Sequence, residues 1–153
     1  MSNGETPELS DEGEVFSLMY LSEALQPFSD ASLQHLGVQS SAANALQGIT
    51  GYLSYRQGRF TQYLEGERSA VLALVQKIEA DERHSILART ELGKGDRVFP
   101  GWSMQVLDPL WYAIGGPVDA IDELLALAAG SADSDEITKQ TLSVLVAQIS
   151  VST

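Results

Sequence analysis

Gly48 to Gly66 reads GITGYLSYRQGRFTQYLEG, and this stretch decides the fold class. Two runs rich in β-branched and aromatic residues, 48–56 and 59–66, flank Gln57-Gly58, a turn pair suited to a hairpin. Side chains alternate along a strand, so Phe60, Gln62 and Leu64 share one face of the second run. Upstream, Val15 to Ser22 (VFSLMYLS) alternates in the same way and puts Phe16, Leu18 and Tyr20 on one face. Between the two lies a segment that Ser29 or Asp30, after Pro27, can cap as a helix. Steps of three or four predict Leu33, Leu36, Ser40, Ala43 and Gln47 on its inward side, with Asn44 beside Ser40. Gly37 interrupts that pattern at a cost of about 1 kcal/mol against alanine, which argues against an unbroken helix.

Downstream of the hairpin, Val71, Leu74, Val75 and Ile78 follow the i, i+3, i+4, i+7 spacing of an amphipathic helix over Glu67 to Asp81. Strands are predicted near Ile86 to Leu92 and Trp102 to Leu107. The order β α β β α β β predicts an α+β fold, a ferredoxin-like split βαβ with a five-stranded sheet. Pro117 opens a further helix with the stripe Val118, Ile121, Leu124, Leu125 and Ala128, ended by Gly130. Asp133 and Glu136 resemble a capping box for a last helix, Ile137 to Ile149. The division expected is an acidic N-terminal tail at 1–14, a main domain at 15–110 and a C-terminal helical extension at 117–153. In the last helix Leu142, Val146 and Ile149 share one side, and Ile137, Val144, Leu145 and Val151 lie across others. That is more apolar surface than one docking face hides, so a homo-oligomer built through the C-terminal helices is expected.

The chain's 153 residues, 44% hydrophobic and 20% charged, suit one folded domain with appendages rather than a disordered chain. The net charge of −12 sits mostly at the ends: −5 over residues 1–14, −2 over 15–117 and −5 beyond. Phosphate backbones and anionic lipid repel such a chain, so neither nucleic acid nor membrane is an expected partner. Cysteine is absent, which removes disulfides, thiol catalysis and cysteine-based metal sites and points to a reducing compartment, the cytoplasm. No apolar run approaches the ~20 residues of a membrane span, and the N-terminus lacks the basic start of a secretory leader.

Gln62 is the residue with the most to say, because an amide between Phe60 and Leu64 faces a core. Tyr20 raises the same question on the first strand. A buried amide left unpaired costs roughly 1–3 kcal/mol, so either the two bond one another structurally or they bury a ligand's polar edge. His84, in Asp81-Glu82-Arg83-His84, sits where a cation caps a helix C-terminus. His35 has no metal-ligand spacing to it, and no metal site is expected. Trp102 and Met104 alternate on the last strand as core residues, and Glu65 with Glu67 reads as a solvated pair at a strand end. No Ser/His/Asp ordering, GxSxG or P-loop is present, so the chain is not expected to be an enzyme.

Five blocks then fall in one order: Met19-Tyr20-Leu21-Ser22; Asn44 through Gly48-Ile49-Thr50-Gly51; Gly58 through Gly66; Asp81-Glu82-Arg83-His84; and Phe99-Pro100-Gly101-Trp102-Ser103-Met104. Together, from about Val15 to Leu107, they resemble the BLUF family, sensors of blue light using flavin. The resemblance implies FAD held non-covalently between the two helices of the ferredoxin-like domain. It places Tyr20 and Gln62 at the flavin N5 and C4 carbonyl and Asn44 at the ring's polar edge. Ser40, Arg83, His84 and Met104 complete the binding set, and Trp102 with Met104 forms a switchable strand end that signals. It further implies that Tyr20 gives up an electron and a coupled proton under blue light, that the Gln62 amide is left rearranged, and that a small red shift results. Output would pass by protein contact to a downstream partner the sequence does not identify. The competing expectation is an α/β interaction module that binds no flavin, with Tyr20 and Gln62 purely structural.

Overall fold

The computed structural model describes residues 14–107, 115–127 and 135–151. In chain order the elements are β1 (Glu14–Ala24), α1 (Asp30–Gln47), β2 (Thr50–Arg56), β3 (Arg59–Gly66), α2 (Arg68–Glu79), β4 (His84–Asp96), β5 (Ser103–Val106), α3 (Pro117–Leu127) and α4 (Glu136–Val151). The sheet order is β4-β1-β3-β2-β5. β1 runs antiparallel to β3 and β4, β2 antiparallel to β3, and β5 parallel to β2. Each helical crossover therefore straddles a strand from the other half, which is the ferredoxin-like split βαβ with a fifth strand at one edge.

Local chemistry explains the boundaries. Gln57 and Gly58 have φ of 54° and 77°, the primed turn that matches strand twist, and Arg56 pairs with Arg59 across it. Ser29 caps α1 by accepting from Ser32 N at 3.1 Å. The helix then runs unbroken over 18 residues through Gly37. A Cβ on Gly37 would meet Val106 Cγ2 at 2.5 Å, so the glycine is there to let α1 lie directly on β5. The inward stripe also differs from the expected one. Gly37 and Asn44 are buried with Leu33, Leu36 and Ser40 beside them, and Ala43 lines the open space beneath the helix, whereas Gln47, its last residue, is exposed.

The two faces of the sheet are covered by different helices. On one, Phe16, Leu18, Phe60 and Leu64 pack with Leu33 and Leu36 of α1 and Val71 and Val75 of α2. On the other, Met19, Leu21, Tyr52 and Tyr63 pack with Val118, Ile121 and Leu125 of α3 and Leu142, Val146 and Ile149 of α4. The C-terminal helices thus spend their main stripe on their own sheet, and the surplus that suggested an oligomer shrinks to exposed Leu127, Ile137 and Val144, with Leu145 partly buried. The capping residue of α4 is Asp135, whose Oδ1 accepts from Thr138 N at 2.8 Å. Asp133, Ala128, Gly130, the side chain of Val151 and the acidic tail at 1–13 lie outside the described residues.

Polar contacts add to α3's docking. Arg56 pairs with Asp119, and Thr61 Oγ1 donates to Asp122 Oδ1 at 2.7 Å. Burial raises the Asp122 carboxyl above its ordinary range despite the Thr61 bond and the Arg56 charge. A raised carboxyl binds its proton more tightly in the folded state, so stability is lost as pH rises from the ordinary ~3.9 through the raised folded value. Asp122→Asn keeps an acceptor for Thr61 and cannot ionise. Its thermal midpoint is expected to exceed the parent's at pH 7 and to converge with it below pH 4; a variant less stable at pH 7 would show that the Arg56 attraction dominates.

Candidate functional site

The face under α1 and α2 leaves a cavity of about 240 Å³. Leu36, Leu53, Phe60, Leu74 and Ile78 give it apolar walls, and Tyr20, Ser40, Asn44 and Gln62 bring polar atoms inside. Asp81, Arg83 and His84 line it as well. The volume lies below the ~300–1,000 Å³ of pockets that enclose a drug-sized ligand, so it suits a flat ring system whose remainder projects outward.

Strand register brings the central pair together. Tyr20 on β1 lies opposite Gln62 on β3. The Tyr20 hydroxyl donates to Gln62 Oε1, and Gln62 Nε2 reaches Met104 Sδ at 3.1 Å. Thioether sulfur is a weak acceptor, so the amide is held firmly on its oxygen side and loosely on its nitrogen side. Burial, reinforced by the Asp81 charge, pushes the Tyr20 phenol far above its ordinary range, which keeps it protonated.

Met104 sits in a bulge of β5, between the pairs Gly51↔Ser103 and Tyr52↔Gln105. It is buried, with φ of 144°, a value that non-glycine residues seldom adopt. Trp102 lies on the opposite side, its ring stacked on Phe99 at 4.9 Å within the cluster that holds α3 and α4. Of the two expected strand-end residues, Met104 touches Gln62, and neither it nor Trp102 lines the cavity.

His84 opens β4 and still caps the preceding helix. Its Nε2 lies 2.6 Å from the Ile78 carbonyl, which can only accept, so that nitrogen carries a proton; Nδ1 lies 2.8 Å from Ser22 Oγ. Asp81 holds Arg83 in a fork, with contacts of 2.7 Å to Nη2 and 3.0 Å to Nε, and accepts from Arg83 N at 2.9 Å. The Arg83 hydrogen bonds pull the Asp81 carboxyl down to about 2.

The sequence expectation paired Glu65 with Glu67 as solvated acids, and for Glu65 it is wrong. Glu67 is exposed and binds Ser69 Oγ at 2.6 Å, but Glu65 is wholly buried. Alternation predicts this, since Glu65 follows Thr61 and Tyr63 on the face that α3 and α4 cover. Phe28, Gln39 and Asp81 also line the cavity without having been singled out. Asp81 could have been found from its block, where it precedes Arg83 by two; Phe28, which meets Phe60 edge-on at 5.0 Å, carries no such signal. His35 is exposed, and among the described residues no cluster of His, Asp and Glu is placed to hold a metal.

One atom in the cavity has no counterpart. Asn44 Nδ2 is buried and without a hydrogen-bond partner, in a residue only 3% exposed. An orphaned donor beside an apolar slot calls for a flat ligand with acceptor atoms on one edge. Residues 15–105 match a family described as sensors of blue-light using FAD, BLUF.

The chain belongs to the BLUF family. The alpha subunit of a photoactivated adenylate cyclase of Euglena gracilis is 41% identical over 73 residues, which are 48% of this chain and 7% of that protein. The beta subunit from the same organism is 33% identical over 102 residues, 64% of this chain and 12% of that protein. The structure of BlrB, described as a BLUF protein in its dark state, superposes with a TM-score of 0.62 at 28% identity, covering 92% of this chain and 98% of BlrB. A bacterial light-regulated adenylyl cyclase superposes with a TM-score of 0.61 at 30% identity over 74% of this chain and 34% of that one. The chain therefore spans a small part of the cyclase relatives. A BLUF domain is a flavin-binding sensor module of blue light rather than a catalytic unit. The cavity fits a flavin because the ring's pyrimidine edge carries carbonyl acceptors of the kind the Asn44 amide lacks. Among the described residues no helix is long and apolar enough to cross a membrane.

Proposed function

We propose that this chain is a blue-light photoreceptor that holds FAD non-covalently in the cavity, within a domain spanning 15–110. Asn44 and Ser40 of α1 hold the ring edge, His84 and Arg83 lie beside it, and Tyr20 and Gln62 face the reacting side. When bound, the flavin supplies absorption of blue light and an electron acceptor once excited.

The rest is the protein's own chemistry. A phenol that loses an electron becomes a strong acid, and in a dry site its charge cannot move without its proton. Tyr20 already points that proton at Gln62 Oε1. The observation that carries the proposal is this amide bridge, fixed at the phenol and loose at the Met104 sulfur. A neutral amide has two nearly balanced hydrogen-bonding arrangements, whereas a carboxylate there would be costly to bury. Rearrangement frees Met104 and so reaches β5, next to Trp102 and the C-terminal helices.

Absorption spectra of the purified protein before and after blue illumination test this directly. Bound FAD, released by denaturation, and a small red shift on illumination are expected. A colourless protein that takes up no added FAD would leave the interaction module as the reading. Asn44→Ala removes the orphaned donor and is expected to weaken FAD binding roughly five- to hundredfold with photochemistry intact in the bound fraction. Unchanged retention on dialysis would place Asn44 outside the site.

For output we infer protein contact in a reducing compartment, the cytoplasm, with a second copy joining at exposed Leu127, Ile137 and Val144 of the extension, 117–153. Light scattering coupled to size exclusion on the full chain, dark and lit, tests the assembly; a monomer in both ends that part and leaves signalling to a separate partner.

A further inference from the structure

Glu65 lies three residues beyond Gln62 on β3, with its side chain on the opposite face of the sheet, and is 0% exposed. Its carboxylate accepts from Thr50 Oγ1 at 2.7 Å, Tyr63 Oη at 3.1 Å, Val98 N at 2.8 Å and Phe99 N at 2.7 Å. Four donors match the roughly four lone-pair sites of an ionised carboxylate, and Arg97, bound to Thr50 Oγ1 at 2.8 Å, brings a positive charge near it. Two of the four donors are backbone groups of the connection between β4 and β5. That connection is itself a closed turn, with Trp102 N bonding the Phe99 carbonyl at 3.1 Å and Gly51 N bonding the Trp102 carbonyl at 2.8 Å. Two residues further along the chain stands Met104.

β3 therefore holds β5 itself at Met104 through Gln62 on one face, and the loop that leads into β5 through Glu65 on the other. Met104 is held there at φ 144°. Such a backbone persists only where its surroundings over-determine it. When the Gln62 amide leaves the sulfur, the Glu65 bonds to the loop still hold the segment that leads to Met104, together with the pairing of β5 on β2.

We propose that Glu65 is a positioning residue that sets how fast the rearranged site returns to its dark arrangement. This rests on the photoreceptor reading. Loosening the Glu65 bonds weakens the restoring pull without touching the cavity, so the lit arrangement lives longer.

The test is the rate of thermal recovery after a blue pulse, measured on the full-length, flavin-loaded protein. Glu65→Gln turns two acceptor positions into donors facing donors, and recovery is expected to slow by about tenfold or more, with dark spectrum, flavin affinity and red shift unchanged. Glu65→Asp withdraws the carboxylate by one methylene and is expected to slow recovery less; it serves alone if Glu65→Gln does not fold. Tyr63→Phe removes a donor from the same carboxylate but leaves both loop bonds, so its recovery stays near the parent's even if its melting temperature falls. Recovery at the parent rate or faster in the Glu65 variants, or equal slowing in Tyr63→Phe, overturns the positioning role. A parent protein that binds flavin and shows no light-induced shift overturns the photoreceptor reading, and this role with it.

Discussion

Gln62→Leu and Tyr20→Phe are each expected to abolish the light-induced red shift, while the protein still folds and still purifies with flavin. Leucine has nearly the shape of glutamine but neither its donor nor its acceptor, so the Tyr20 proton loses its destination and Met104 loses its bond. Phenylalanine keeps the ring of Tyr20 and removes the only proton it can give. Neither change opens a cavity. Gln62→Leu also removes an amide whose partners are left cheaply behind: a weak sulfur acceptor and a hydroxyl that can turn toward the flavin. Difference spectra under saturating blue light decide the matter. A full-sized shift in Gln62→Leu would separate this chain's photochemistry from the amide bridge.

Gly51→Ala is expected to destabilise the fold by more than about 3 kcal/mol, enough to consume a large part of the ~5–15 kcal/mol that holds a typical domain together. A Cβ at this position would lie 1.8 Å from the Tyr63 carbonyl oxygen and 2.8 Å from its carbon, and φ is +150°. The obstacle is backbone of the neighbouring strand, which cannot swing away as a side-chain tip does. Relief would require breaking β2 from β3 at the pair Gly51↔Leu64 and pulling the Gly51 N–H off Trp102. Chemical denaturation followed by circular dichroism measures the loss. A variant within about 0.5 kcal/mol of the parent would show that the strand pair relaxes more easily than its geometry implies.

The order of elements was legible because short-range patterns carry it. Alternation marked the faces of β1 and β3, Gln57-Gly58 marked the hairpin, and the Val71–Ile78 spacing marked α2. Tyr20, Gln62, Asn44, Ser40, Arg83 and His84 were named from sequence, and the structure gathers all six around one cavity. What escaped were properties set by distant partners. Gly37 looked like a break in a helix because local propensity counts its cost, while its benefit is contact with Val106, far along the chain. Glu65 looked solvated because an acid near a strand end usually is. Four donors, two of them in a loop more than thirty residues on, make its burial tolerable.

The sequence by itself determined the α+β class, the positions of the strands and helices and, through its five blocks, the family. These follow from periodicity, turn chemistry and residue identity, which act over a few positions. Only the tertiary structure decided that Met104 rather than Trp102 meets Gln62, that Glu65 fastens the loop leading into β5, and that α3 and α4 spend their apolar stripe on their own sheet. Each of those depends on which strand edge or face a residue meets, and pairing across the sheet joins residues whose separation along the chain no local pattern records.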